Sequence, residues 1–141
     1  MAATVHNLQT RNRKGQNNGS NAITYTGFFL FPGPMLNHED FIALSGKALK
    51  LLVDIGAQYN GRNNGDLQCA RSVMRSRGWK SNDTLERAKK ELIERSWIIE
   101  SKKGGFNIGP SLYAITWQPI DECSGKLEIQ STTTAPRSLG V

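Results

Sequence analysis

Two short stretches of helical periodicity meet at Arg77-Gly78-Trp79-Lys80-Ser81, and that join narrows the folds open to this chain more than anything else in it. Upstream, residues at about 69–77 place Ala70, Val73 and Met74 on one side of a helix. Gly78 stands where a helix C-terminus calls for a left-handed residue. Ser81 then caps a further helix over about 82–96, with Leu85, Ala88, Leu92 and Ile93 facing inward. Asp83 and Glu86 lie near its positive end, as the helix dipole prefers. Helices this short do not stand alone in water, so they must pack against a third element.

That element is legible just upstream. Ser45 caps a stretch in which Leu44, Ala48, Leu51, Leu52, Ile55 and Tyr59 recur at spacings of three and four. Asn37 is the expected cap of a shorter helix ending near Leu44, with Glu39 and Asp40 in its first turn. Asn60-Gly61 and Asn63-Asn64-Gly65 break the chain before a short strand near Asp66-Leu67-Gln68. After the last helix the pattern turns to β. Residues 97–101 read as a strand, 102–110 as a long Gly-rich connection, and 112–117 as the return strand with Tyr113, Ile115 and Trp117 on one face. Residues 23–36 are apolar and β-prone up to Pro32-Gly33-Pro34, and read as an extended segment packed ahead of the helices and a candidate for dimerisation. Residues 1–22 read as a flexible basic tail, either an arm on phosphates or inert, and 124–141 as a disordered polar tail. The chain of 141 residues is therefore expected to hold one domain, over about 23–123.

Helix, short strand, helix, tight turn, helix, hairpin is the order of a winged helix-turn-helix, an α+β fold with a three-helix core and a C-terminal β-hairpin wing. The runs Ala43–Leu51, Tyr59–Gly65 and Arg77–Leu85, with Glu91-Leu92-Ile93-Glu94, Trp97-Ile98 and Leu112–Trp117, resemble small winged-helix proteins of bacterial phages, plasmids and genomic islands. The resemblance spans about residues 28–123. It is similar in outline to the DNA-binding domains of phage and plasmid replication proteins. It implies double-stranded DNA as partner and implies no catalytic residue.

The charge pattern favours an anionic partner, of which nucleic acid is the commonest, the alternative being a solvated helix surface. Lys+Arg number 18 against Asp+Glu 12, a formal net charge of +6. Residues 69–103 hold ten bases and five acids, so nearly all of the excess is local. Under the DNA reading, the first turns of the 82–96 helix reach base edges through Asn82, Asp83, Thr84 and Arg87. Asn pairs in two-point fashion with adenine and Arg with guanine; Asp83 is either a base contact or simply a helix-start charge. Phosphate contacts are assigned to Arg71, Arg75, Arg77, Lys80, Ser81, Lys90, Lys102 and Lys103. Gly104, Gly105 and Asn107 form the tip of the wing, suited to enter a minor groove; Phe106 and Ile108 are expected to pack back on the hairpin, the alternative being insertion at DNA or a partner. Glu86–Lys90 and Glu91–Arg95 are expected as ion pairs one turn apart, whereas Arg71, Arg75 and Arg77 have no acid close in sequence.

Other classes find less support. There is no apolar run of membrane-spanning length and no signal-peptide pattern, and the two cysteines, Cys69 and Cys123, have no metal spacing. A reducing, cytoplasmic setting is expected. Neither His6 nor His38 has a partner at a catalytic spacing, so no enzyme, metal or cofactor is expected. The Gly-rich segment lacks both GxGxxG and the Walker pattern. The alternative function is a protein-interaction adaptor that uses the same basic face toward a host or phage protein.

Overall fold

A computed structural model describes residues 29–139; the expected N-terminal tail and residues 23–28 of the expected extended segment lie outside them. The described elements are α1 (Gly33–Leu36), α2 (Glu39–Ile42), α3 (Gly46–Gly56), β1 (Leu67–Gln68), α4 (Arg71–Arg75), α5 (Asn82–Glu94), β2 (Ile98–Lys102), β3 (Leu112–Ile115) and a 3-10 turn at Cys123–Gly125. The strands form one antiparallel sheet in the order β1-β3-β2. The domain is thus mixed helix and sheet.

Helix α3 begins where expected. Ser45 Oγ accepts from the Ala48 N–H at 3.1 Å. From α5, Glu91 grips the same residue, accepting from the Ser45 N–H and hydroxyl at 2.7 Å each. Ala48, Leu51, Leu52 and Ile55 of α3 are buried, and α5 sets Leu85, Ala88 and Leu92 into the same core. Ile93, expected inside, is 41% exposed, because it falls one residue off that stripe.

Helix α4 is shorter than the 69–77 expected, yet its exit is as read. The Gly78 N–H donates to Arg75 O at 3.2 Å and the Trp79 N–H to Met74 O at 3.1 Å, with Gly78 at φ +96. That is the pair of bonds of a Schellman ending, and it buries Met74 and Trp79 together. The exit of α5 repeats the pattern, from Ser96 N–H to Ile93 O and Trp97 N–H to Leu92 O, with Ser96 at φ +61 in the glycine position.

Strand β3 lies between two neighbours. Leu67 pairs with Tyr113 on one side, and Ile98, Ile99 and Glu100 pair with Ile115, Ala114 and Tyr113 on the other. The expectation of one buried face is corrected here: Leu112 through Trp117 are all buried, since both sides of this central strand are covered. A register shift between Glu100 and Lys102 turns Ser101 inward, where its hydroxyl donates to Gly65 O.

The loop before β1 is held by Asn64, which is fully buried. Its amide donates to the carbonyls of Ile115, Gln118 and Pro119 at 3.0, 3.2 and 2.8 Å, and its side-chain oxygen accepts from the Ile115 N–H at 2.8 Å. Its backbone N–H reaches Asp121 at 2.8 Å. Every polar atom of the side chain is satisfied, which is the condition for burying an amide.

Both ends of the domain differ from expectation. Pro34 lies in the first turn of α1 rather than ending an extended segment, because a first-turn residue needs no N–H bond. Asn37 closes α1, donating to Gly33 O, and His38 caps α2, with Nδ1 accepting from the Asp40 N–H. Met35 is fully buried and Phe31 packs on Phe41 and Trp117, so these two side chains belong to the chain's own core.

At the other end, residues 124–139 are bound to the domain instead of loose; residues 140–141 lie outside the described residues. The Glu128 N–H donates to Ser101 O, and the Arg137 N–H to Thr116 O, at 2.8 Å each. The Arg137 guanidinium lies 3.9 Å from the centre of the Trp97 ring and reaches Asp40 and the carbonyls of Arg95 and Ser96. One cation thereby fills three acceptors and covers an indole, which a composition-based reading of a polar segment does not reveal.

Two substitutions test the helix endings. Gly78→Ala is expected to cost about 1 kcal/mol through the left-handed backbone alone, since open space surrounds the added methyl. Ser96→Gly is expected to stabilise by about 0.5–1 kcal/mol by removing the same strain. Urea unfolding midpoints check both.

Candidate nucleic-acid interface

The join between α4 and α5 is held from beneath by a single carboxylate. Asp54 of α3 has a side chain only 6% exposed. It accepts from Lys50 Nζ at 2.6 Å, from Arg77 Nε at 2.8 Å and from Trp79 Nε1 at 2.7 Å. Lys50 also donates to Arg77 O at 2.8 Å. Burial by itself would raise the Asp54 pKa, but the hydrogen bonds from Lys50, Trp79 and Arg77 outweigh it and hold the carboxyl below its ordinary 3.8. Arg77, expected on phosphate, is instead committed to this buried acid, which sequence distance concealed.

Above this anchor stands the start of α5. Ser81 caps it, its hydroxyl accepting from the Thr84 N–H at 3.2 Å, so its expected phosphate contact competes with a structural duty. Asn82, Asp83 and Arg87 are exposed and Thr84 is half-buried. Asp83 and Arg87 form an ion pair one turn apart. The next outward pair, Lys90 and Glu94, approach to 4.0 Å. The outer stripe of α5 is therefore paired acid to base, and Lys90 has Glu94 rather than the expected Glu86.

The remaining expected pairs are redistributed too. Glu86 takes Lys89 at 2.9 Å and Arg71 at 3.7 Å, so Arg71 has an acid after all. Arg95 pairs with Asp40 at 3.3 Å because Glu91 is occupied by Ser45. Among the described residues, the side-chain cations of Lys47, Arg62, Arg75, Lys80, Lys102 and Lys103 are in no ion pair, although Glu128 accepts from the Lys103 backbone N–H at 3.0 Å. Four of these were expected at phosphates. Lys47 was missed. It shares a shallow groove with Ser45, Thr84 and Arg87, and only packing of α3 on α5 brings it there.

On the other flank of α5, a second groove runs between Arg71, Glu86 and Lys89 and the end of the β2–β3 hairpin at Pro110 and Ser111. Cys69 lies at its floor, 3% exposed, with burial pushing its thiol up to about 12, so it is an inert packing group. Lys89 stays charged: burial opposes this, but its hydrogen bond to Glu86 prevails and its pKa is raised. The hairpin itself carries Gly104, Gly105 and Asn107, with Asn107 at φ +61. Contrary to expectation, Phe106 and Ile108 do not pack back; they are 91% and 64% exposed.

Trp79, Trp97 and Trp117 are all buried. No group of three metal-ligating side chains occurs among the described residues, and no helix among them is long and apolar enough to cross a membrane. No protein-family model, no curated protein and no solved structure matches the chain.

Asp54→Ala is expected to cost about 2–3 kcal/mol, less than a fully buried pair because Lys50 and Arg77 are half-exposed and can turn to water. The acid limb follows from the direction of the shift. Because the folded pKa lies below the unfolded one, the Asp54 contribution is complete above the ordinary carboxylate value and fades as pH falls through the lower folded value. Urea titrations between neutral and acid pH should show the wild-type advantage over Asp54→Ala shrinking below about pH 4.

Proposed function

We propose that the chain is a double-stranded-DNA-binding protein with a winged helix-turn-helix domain, in which α3, α4 and α5 are the core helices and β2–β3 the wing. Under this reading α5 enters the major groove from its N-terminal end, with Asn82, Thr84 and Arg87 toward base edges. Arg75, Lys80, Lys102 and Lys103, joined by Lys47, take phosphates. The observation that carries the proposal is the placement of acid-free cations around the start of α5 and at the base of the hairpin, while most other cations are paired. The resemblance to small winged-helix proteins of mobile elements supports a role in transcription regulation or replication initiation, in the cytoplasm, acting as a monomer or a homodimer.

One observation favours a protein partner instead. The outer stripe of α5 alternates in sign through Asp83–Arg87 and Lys90–Glu94, as suits a protein surface better than a polyanion. On DNA, Arg87 must leave Asp83 or carry it along, so Asp83 acts against non-specific binding.

Fluorescence anisotropy with random duplexes across a salt series separates the two. DNA binding predicts log affinity falling steeply with log salt, and the Arg75→Ala, Lys80→Ala double variant should flatten that slope by about 2. Arg87→Ala should cost roughly 1–3 kcal/mol on a selected site and much less on random duplex. Absence of binding at low salt would overturn the DNA reading and leave the adaptor.

A further inference from the structure

We infer that Phe106 is an apolar wedge that enters a base step of duplex DNA, a role that rests on the DNA-binding reading and extends it from groove contact to deformation of the helix. The side chain is 91% exposed, the most exposed large apolar residue described, and Ile108 beside it is 64% exposed. Between Lys102 and Ser111 the hairpin contains no acid.

The tip is also preformed. The Gly105 N–H donates to Gly109 O at 3.0 Å, and the N–H groups of Ile108 and Gly109 return to Gly105 O at 3.1 and 3.3 Å. Asn107 and Gly109 both adopt positive φ, which closes the turn, with Phe106 the first of the three residues between Gly105 and Gly109. Below, the strands pinch together at Gly104: its N–H meets Ser111 Oγ at 2.9 Å, and a Cβ there would sit 2.3 Å from the Ser111 nitrogen. An aromatic ring on a closed, hydrogen-bonded turn loses little freedom on insertion, which favours a wedge over a loop that must first order itself.

The surroundings indicate the partner. The ammonium groups of Lys102 and Lys103 at the hairpin base are in no ion pair among the described residues, while the Glu128 carboxylate accepts from the Lys103 N–H at 3.0 Å; in the groove beside the hairpin's return end, Arg71 and Lys89 are both paired with Glu86. Cations flanking a protruding apolar side chain match a surface with phosphates outside and stacked rings within. Minor-groove proteins insert Phe, Leu, Ile, Met or Pro in this way and kink the duplex. The neighbouring Ile108 would follow Phe106 into the opened step.

The buried state of Trp79, Trp97 and Trp117, each 5% exposed or less, makes a direct test possible. Phe106→Trp in the full chain adds an indole open to acrylamide while the native three stay shielded. Anisotropy with a labelled 20-base-pair random duplex establishes binding, and the same samples report the indole. Insertion predicts that duplex quenches the added emission and lowers its acrylamide accessibility several-fold. It also predicts that wild type shifts the topoisomers of a plasmid relaxed in its presence, whereas Phe106→Ala, still bound through phosphates and still folded by circular dichroism, does not. Binding with an indole that stays fully accessible overturns the wedge and leaves DNA binding intact. No binding at low salt overturns both. An emission blue-shift with phosphatidylglycerol vesicles, and none with duplex, overturns the wedge in favour of a lipid surface.

Discussion

The buried carboxylate of Asp54 is the interaction on which the geometry of the candidate interface turns. A charge taken out of water must be surrounded by donors, and here the donors come from two places at once. Lys50 is one turn earlier on the same helix, while Arg77 and Trp79 flank the glycine that ends α4. Satisfying Asp54 therefore sets the bend between α4 and α5 against α3. The Schellman ending at Gly78 makes the bend sterically possible, and Asp54 selects one orientation of it. The ammonium groups of Lys47 and Lys50 lie 5.8 and 5.4 Å from the Trp79 ring centre, so the same indole is also covered from outside.

A comparable logic governs the far side of the domain, with an aromatic cluster in place of a carboxylate. Phe31, Phe41, Trp97 and Trp117 pack with ring centres 5.6–6.1 Å apart, in tilted and edge-on arrangements. Arg137 closes the cluster over Trp97. Asp40 then draws in both Arg95 and Arg137, and its carbonyl accepts from Trp97 Nε1. The first short helices and the last described residues are thus parts of one assembly around Trp97, although about a hundred positions separate them in the chain.

These commitments decide which cations are left for a partner. Arg77, Arg71 and Arg95 look alike in sequence to Arg75, and all sit in the basic segment. The first three are engaged with Asp54, Glu86 and Asp40; Arg75 is not. A local charge count therefore overstates the free positive surface of α4 and α5 and understates that of α3, where Lys47 lies open beside Thr84 and Arg87. The remaining excess is concentrated at the join and the hairpin base, which is why the proposed interface is built around the start of α5 instead of along its length.

Local physics determined the elements. Ser45 and Ser81 announce helices because their hydroxyls accept from N–H groups three residues on, and Gly78 announces an ending because it tolerates positive φ. The inward stripe Leu85, Ala88, Leu92 follows from a period of 3.6. All of this depends on residues within one or two turns of one another. What tertiary structure alone decided is every outcome in which a distant group competes with a near one. Glu91 capped Ser45 rather than pairing with Arg95. Phe106 stayed in solvent because the tip found nothing to pack on, and residues 124–139 were ordered by carbonyls and an indole belonging to other parts of the chain. Sequence spacing cannot rank those contests, because the energies that settle them depend on distances set only when the helices and the sheet have packed.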